Sequence, residues 1–247
     1  MIGWSQAGLE PHQPAKTLIG MEAIGFPAGA PLLFPVGQPM GVMGVGDEIR
    51  TGEIAIGGSI VIVDITSYRL WESAFVPKPR QTLMATFDQG PAPDPKPPPI
   101  EVIVDNLLAR RLLIGLSGDA EADLATLGSL KLIPCGRGLT EAPDWTFQDI
   151  STAAGTVRLA IHLFVAWKHA HLTPRIGDVV RAVTNDFGVE DDEPLGVEQE
   201  LLDGLPTMVF AEAMRLDLDG RFDPAAVGQV DLATDFLLWR RAEDEAG

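Results

Sequence analysis

The sequence predicts an α+β fold whose N-terminal half is rich in β-structure. Short apolar runs bounded by glycine and proline dominate residues 52–104, a pattern typical of strands. Apolar residues at helical spacing come later, between residues 157 and 187. Proline is concentrated in two stretches, 1–46 and 90–99, which predicts extended segments there because proline cannot join the interior of a sheet.

Residues 1–46 contain six prolines and nine glycines and show no helical periodicity and few uninterrupted strand runs. They are nevertheless apolar, so they need a surface on which to lie. We therefore expect 1–46 to be an extended arm that packs on neighbouring subunits, and 47–247 to be a single α+β body. The candidate interface residues of the arm are Trp4, Leu18, Phe26, Leu32 and Phe34.

The first elements of the body are predicted to be strands. Residues 53–56 and 59–65 flank Gly57 and Gly58, which predicts a hairpin. The second of these runs is apolar at alternate positions of both faces, so we expect a fully buried strand. Three further runs are predicted as strands, namely 68–75, 81–87 and 100–104.

Six of the ten residues in 90–99 are proline, which favours polyproline II. Because a β pattern resumes at residue 100, we interpret this run as an extended excursion within one body. It is not predicted to be a linker between two domains.

The pattern becomes mixed after residue 105. Residues 112–116 and 130–133 read as strands, and 119–127 has the composition of a helix. Two alternating runs close the chain, 214–218 and 230–238, and predict a C-terminal β-hairpin. No internal repeat is evident from the sequence.

A central αα-hairpin is predicted between these strands. Its first helix is capped by Ser151 or Thr152. Its second helix follows Thr173 and Pro174 and ends at Gly188. The apolar residues that recur at helical spacing in the first helix are Val157, Ala160, Ile161, Phe164 and Trp167.

Composition excludes several classes of protein. The net charge is −17, and residues 100–247 hold 12 basic and 26 acidic residues, which disfavours binding to nucleic acid or anionic lipid. Cys135 is the single cysteine, which excludes an internal disulfide framework. The absence of a basic, apolar leader and of a run of about 20 apolar residues leads us to expect a soluble, cytoplasmic protein.

Histidine and nucleophile motifs are incomplete. His162 and His169 share a helix side but lie about 10 Å apart along its axis, too far to hold one metal ion. His171 points elsewhere. Gly115-Leu-Ser117-Gly resembles the start of a nucleophile elbow, but its second glycine comes one residue early. Cys135 beside glycine is typical of a turn.

An acidic run is the best metal candidate. Asp217, Asp219 and Asp223 surround Gly220 as in a calcium loop, but Arg215 and Ala226 occupy positions where that loop needs carboxylates. Calcium binding here, or in the acidic loop 190–193, stays an open alternative to a solvated connection.

These observations favour a non-enzymatic assembly subunit without a cofactor or catalytic residues. We expect a component of a phage-like virion or a comparable multi-subunit particle, bound to copies of itself or to other subunits. The alternative is an enzyme or small-molecule-binding domain whose dispersed residues converge in a pocket. Its candidates are His162, Asp217, Asp219 and Asp223.

Overall fold

The structure is a computed structural model that describes residues 30–45, 48–87, 98–139, 146–187 and 194–220. The strands of this part of the chain are β1 Leu32–Pro35, β2 Gln38–Val45, β3 Glu48–Ile56, β4 Ser59–Asp64, β5 Lys78–Pro79, β6 Leu113–Leu116, β7 Leu130–Pro134, β8 Arg137–Gly138, β9 Phe147–Thr152, β10 Gly155–Ala160 and β11 Met214–Leu218. Its helices are α1 Ile65–Ser73, α2 Arg80–Thr86, α3 Ile100–Ala109, α4 Ala120–Leu127, α5 Ile161–Ala170, α6 Ile176–Phe187 and α7 Pro194–Phe210.

The described strands form four small antiparallel sheets, so the predicted mixed α+β class with a β-rich N-terminal part is confirmed. The orders are β5-β1-β6, β2-β3-β4, β10-β9-β8 and β11-β7. Apolar side chains from both halves of the chain join in one continuous core.

The pairing registers show that the fold is duplicated. Leu33 of β1 pairs with Gly115 of β6, and Leu132 of β7 pairs with Leu216 of β11. Every register pair of β1 with β6 has its counterpart between β7 and β11. The β3–β4 hairpin and the β9–β10 hairpin likewise have the same register, with six pairs each and two residues between the strands.

Two equivalent units follow from this correspondence, and we call them the first unit (32–116) and the second unit (131–217). Each contains a strand, a hairpin sheet, a helix, two further helices and a returning strand. Even the two-residue β5 has a counterpart, the bridge between Lys131 and Arg175. The expectation that the chain has no internal repeat was wrong, because the two units share their pairing registers but few identical side chains.

Each unit is held by the same hydrogen bonds around the end of its first strand. The indole Nε1 of Trp71 donates to the Val36 carbonyl at 3.2 Å, and that of Trp167 donates to the Cys135 carbonyl at 3.0 Å. The amide of Val36 in turn donates to the Leu112 carbonyl at 2.9 Å. The equivalent amide of the second unit makes the same bond at the same length.

The next residue is a glycine in both units. Gly37 has φ of 100° and Gly136 has φ of 85°, a region that side-chain-bearing residues rarely adopt. A methyl group at Gly37 would lie 2.7 Å from the Ala55 carbonyl oxygen. A methyl group at Gly136 would lie 2.4 Å from the corresponding oxygen, that of Ser151. Glycine is therefore required at both turns.

Direct contacts join the two units. Val36 forms a parallel bridge with Leu216, and the Gly37 amide donates to the Leu216 carbonyl at 2.7 Å. The Asp217 carboxylate accepts a bond from the Gly57 amide at 2.8 Å. Helix α4, which lies between the units in sequence, packs on α6, α7 and β7 of the second unit.

The predicted strands at 68–75, 81–87 and 100–104 were wrong, because these runs lie in α1, α2 and α3. Asp64 caps α1 by accepting bonds from the Thr66 and Ser67 amides, which commits the following residues to a helix. Proline immediately precedes α2 and α3, where its fixed φ suits a helix start.

The predicted cap at Ser151 or Thr152 was also wrong, because residues 147–160 form a β-hairpin and α5 begins at Ile161. Thr152 lies in the tight turn, where its hydroxyl donates to the Gly155 carbonyl at 3.0 Å. The predicted pairing of two helices is confirmed, since α5 and α6 pack together. The predicted fully buried strand is half-buried, because Ile60 of β4 is solvent-exposed.

The predicted arm and C-terminal hairpin are described only in part. Residues 1–29 lie outside the described residues, and the described part of the predicted arm, 30–45, contains β1 and the whole of β2. β11 pairs with β7, while its predicted partner 230–238 lies outside the described residues. The proline run lies between α2 and α3 of the first unit, and only its last residues, 98 and 99, are described.

We predict that Gly37→Ala and Gly136→Ala each lower the free energy of unfolding by more than about 2 kcal/mol, because a positive φ is combined with a clash against backbone. Gly58→Ala is the matched control, since its φ is 72° but no atom lies within 4 Å of the added methyl. It should cost about 1 kcal/mol. Urea unfolding followed by tryptophan fluorescence measures all three, and equal losses would contradict the account.

Candidate functional site

The duplication provides an internal comparison for every surface of the molecule. The outer faces of the two hairpin sheets occupy equivalent positions, yet their side chains differ in chemistry. In the first unit the outward positions of β3 and β4 include Ala55, Ile60 and Ile62. The equivalent positions of the second unit hold Ser151, Thr156 and Arg158.

The outer face of the second unit's hairpin sheet carries mainly polar and charged side chains. Arg158 binds the Asp149 carboxylate with two hydrogen bonds, Nε at 2.8 Å and an Nη atom at 3.1 Å. Ser151 is exposed beside this ion pair. One aromatic ring, that of Phe147, is exposed at the end of the sheet.

The face of the first unit is apolar and exposed. Ile60 of β4 is 53% exposed, and Met43 of β2, on the other side of β3, is 39% exposed. Met40, at a bulge of β2, is 55% exposed. We call the surface formed by Met40, Met43, Ala55, Ile60 and Ile62 the apolar face. Large exposed apolar residues grouped together indicate a binding surface, whereas isolated ones do not.

One acidic side chain lies within this surface. Glu53 is paired with Ile62 across the sheet and corresponds to Asp149 of the second unit. The arginine that neutralises Asp149 has been replaced by Ile62 in the first unit. The apolar face thus lacks the cation that its counterpart carries and holds apolar side chains at the equivalent positions.

β2 forms one edge of this sheet among the described residues, and its backbone is irregular. Register shifts fall between Pro39 and Gly41 and between Met43 and Gly44. Bulges, glycine and proline at an edge disfavour the addition of a further strand. The side chains of the sheet, and not its backbone edge, therefore offer the binding surface.

A groove of about 340 Å³ borders the other side of β2, between that strand and α1. Tyr68 packs at its base against Gly52, where a methyl group would overlap the ring. Burial raises the pKa of the Tyr68 hydroxyl, and the nearby Glu72 carboxylate raises it further. The tyrosine is thus held neutral, and it fills space beneath the sheet.

The three histidines that the structure describes do not converge. His162 on α5 lies 3.0 Å from a Glu200 carboxylate oxygen on α7, and His169 lies 2.9 Å from one of Asp186 on α6. His171 contacts the Trp167 ring edge to face, with the ring centroids 4.7 Å apart. Both contacts join α5 to a neighbouring helix.

Ser117 takes part in a structural loop. Its hydroxyl donates to the buried Asp123 carboxylate at 3.1 Å, and that carboxylate also accepts from the amides of Ser117 and Gly118. The arrangement orders the start of α4. The Ser117 oxygen faces a carboxylate, and no histidine lies against it among these bonds.

Cys135 occupies the turn that ends β7. Its carbonyl accepts the Trp167 indole bond, and its thiol is partly buried. Burial raises the pKa of the Cys135 thiol, and Glu212 raises it further while Arg215 partly opposes the change. A raised pKa lowers the thiolate fraction and with it the nucleophilicity.

The acidic candidates have structural partners. Asp217 accepts bonds from the amides of Gly57 and Leu218, both at 2.8 Å. Asp219 binds Arg175 at 2.6 Å and lies 3.5 Å from the Lys131 ammonium. Asp223 and the loop 190–193 lie outside the described residues. In the described part of the chain, no three histidine, cysteine or acidic residues are grouped to hold a metal ion.

Two of the predicted interface residues lie in the core of their own chain. Leu32 is 2% exposed and Phe34 is fully buried, and both belong to β1, which is paired on both sides. Trp4, Leu18 and Phe26 lie outside the described residues. The sequence pattern predicts Ile60 and Ile62 to be core residues, and only the comparison of equivalent strands shows that they belong to the apolar face.

Comparisons with known proteins give no further guidance. No family model, curated protein or solved structure matches the chain. Within the described residues, none of the helices has the length and apolar character needed to cross a membrane.

We predict that the Cys135 thiol reacts slowly with a disulfide reagent at neutral pH, because burial favours its neutral form. The pH at which the reaction rate reaches half its maximum should be higher for the folded chain than for the chain in guanidinium chloride. A lower midpoint in the folded chain would indicate an activated cysteine and would contradict this assignment.

Proposed function

We propose that the protein is a non-enzymatic assembly subunit that binds a second copy of itself through the apolar face of its first unit. The carrying observation is the contrast between equivalent surfaces. One sheet face exposes Ile60 and Ile62, whereas the same face of the second unit carries Thr156 and Arg158. Exposure to solvent accounts for the polar side chains on the face of the second unit. It does not account for the apolar side chains on the face of the first unit.

The energetics of burial favour a contact at this face. Burying a large aliphatic side chain stabilises a complex by about 1.5–3 kcal/mol relative to leaving it in water. Two copies joined face to face would bury Ile60, Met40 and Met43 from each. Such a contact is isologous, with the same residues contributed by both partners.

The distribution of charge supports contact through the first unit. Residues 32–116 hold seven basic and nine acidic residues, whereas residues 131–217 hold seven and fourteen. Copies that meet through their first units bring nearly neutral surfaces together and keep the acidic second units further apart. Salt should strengthen this association, because it screens the remaining repulsion between like charges.

The kind of assembly remains a prediction from the sequence. A phage-like virion or a comparable multi-subunit particle fits a chain with a binding face and an apolar N-terminal segment. The alternative, an enzyme with dispersed site residues, has less support. Its described candidates, His162, Asp217 and Asp219, are each occupied by structural partners.

We predict that the full chain sediments as a concentration-dependent oligomer and that the double variant Ile60→Thr/Ile62→Arg is monomeric. The variant gives the first unit the residues of the second. Arg at position 62 should pair with Glu53 as Arg158 pairs with Asp149, so the fold should be retained. Sedimentation equilibrium from about 1 to 100 μM at low and high salt measures the effect, with a loss of at least 10-fold in affinity expected.

The matched control is Thr156→Ile in the second unit, which adds an apolar residue at the equivalent position and should leave the dimer affinity unchanged. A monomeric wild-type chain at all concentrations would overturn the proposal. So would a double variant that associates as tightly as the wild type. Circular dichroism and thermal melting confirm that the variants are folded.

A further inference from the structure

Helix α4 covers a surface of the second unit that includes α6, α7 and β7. The side chain of Gln199 on α7 donates to the Gly118 carbonyl at 2.9 Å, which places this side of α7 next to the start of α4. Leu127 of α4 is buried, as are Val180, Val183 and Val209 on the helices of the second unit.

The equivalent surface of the first unit is less covered. Met84, Phe87 and Leu108 occupy the positions that correspond to these three valines, and each is only partly buried. Larger apolar side chains are thus more exposed in the first unit than smaller ones are in the second. Among the described residues, no helix precedes β1 as α4 precedes β7.

The sequence that precedes β1 resembles the sequence of α4 and could cover this surface of the first unit. Aligning Gly37 with Gly136 and counting backward without a gap places residues 21–28 opposite α4. Gly29 then falls opposite Gly128, the residue that ends α4. The identical pairs in this stretch are Glu22 with Glu121, Ala23 with Ala122, Gly29 with Gly128, Leu33 with Leu132, Pro35 with Pro134 and Gly37 with Gly136.

We infer that residues 21–28 of the same chain dock on the first unit at the place that α4 occupies on the second, against Met84, Phe87 and Leu108. Met21 and Ile24, which fall opposite the buried Ala120 and Asp123 of α4, supply the apolar contact. The segment can reach the first unit of its own chain, because only residues 30 and 31 separate Gly29 from β1. In the second unit, only residue 129 separates Gly128 from β7.

The margin of the surface differs between the units. Arg80 binds the Asp105 carboxylate at 2.7 Å in the first unit, where the second unit has Ile176 and Pro206. This ion pair remains in water, so residues 21–28 contact the apolar part of the surface and leave its charged edge free. Docking of residues 21–28 would divide the predicted arm into two parts. The docked part includes Phe26, and the part that precedes it includes Trp4.

The test compares the thermal unfolding of three chains: the full chain, a chain lacking residues 1–17 and a chain lacking residues 1–29. Removal of 1–17 should leave the Tm within about 1 °C. Removal of 1–29 should lower it by about 5–10 °C, because apolar side chains lose their cover. Equal Tm values for all three chains would overturn the inference.

A double-mutant cycle tests the contact itself. Met84→Lys should lower the Tm of the full chain but have a much smaller effect in the chain lacking 1–29, because the partner is already gone. Met40→Lys, on the apolar face, is the control and should act equally in both backgrounds. If Met84→Lys also acts equally in both, the segment does not lie on that surface.

Two further readouts keep the test decisive. If the chain lacking 1–29 does not fold, Ile24→Asp in the full chain replaces it in the cycle with Met84→Lys. Light scattering distinguishes docking in cis from exchange between copies, because exchange makes the coupling depend on protein concentration. A coupling found only in oligomers would overturn docking within the same chain. The apolar face is retained in every truncated chain, so failure of this inference is distinguishable from failure of self-association.

Discussion

The backbone around Val36 is the constraint on which the first unit depends. Its amide donates to the returning segment at Leu112, and its carbonyl accepts the Trp71 indole. The next residue, Gly37, turns the chain through a positive φ and approaches the β3 backbone too closely for a side chain. One short segment thus fixes a strand, a helix and the hairpin sheet relative to one another.

The second unit satisfies the same constraint at Cys135 and Gly136. Because the inward positions of the hairpin sheets pack against this segment, they hold similar apolar side chains in both units. Ile54 and Ile150, for example, are equivalent and both fully buried. The outward positions carry no such requirement and have diverged. Side chains that match between the units are those that the fold requires. Side chains that differ, such as Ile60 and Ile62, are not required by the fold and point to a function of the first unit's surface.

The sequence predicted those elements whose local pattern agrees with their tertiary environment. The β3–β4 hairpin followed from its paired glycines, and β11 followed from alternation. The strands predicted within α1 to α3 failed because β-branched and aromatic residues were given more weight than spacing. In α3, Ile100, Ile103, Val104 and Leu107 recur at helical intervals, a signal that was present in the sequence.

The candidate site was beyond the reach of local pattern. An isoleucine on a strand reads as core, and only the tertiary structure shows that Ile60 points away from it. The duplication was equally hidden, because a few identical residues such as Trp71 and Trp167 are separated by long, dissimilar stretches. Pairing registers carry that information, and registers depend on contacts between residues distant in sequence.

Hydrogen–deuterium exchange at two protein concentrations tests most directly whether the first unit alone carries the assembly surface. The account predicts that amides of residues 51–64 become more protected as the concentration rises, while those of the equivalent residues 147–160 do not change. Protection that is independent of concentration, or that rises equally in both hairpins, would contradict it.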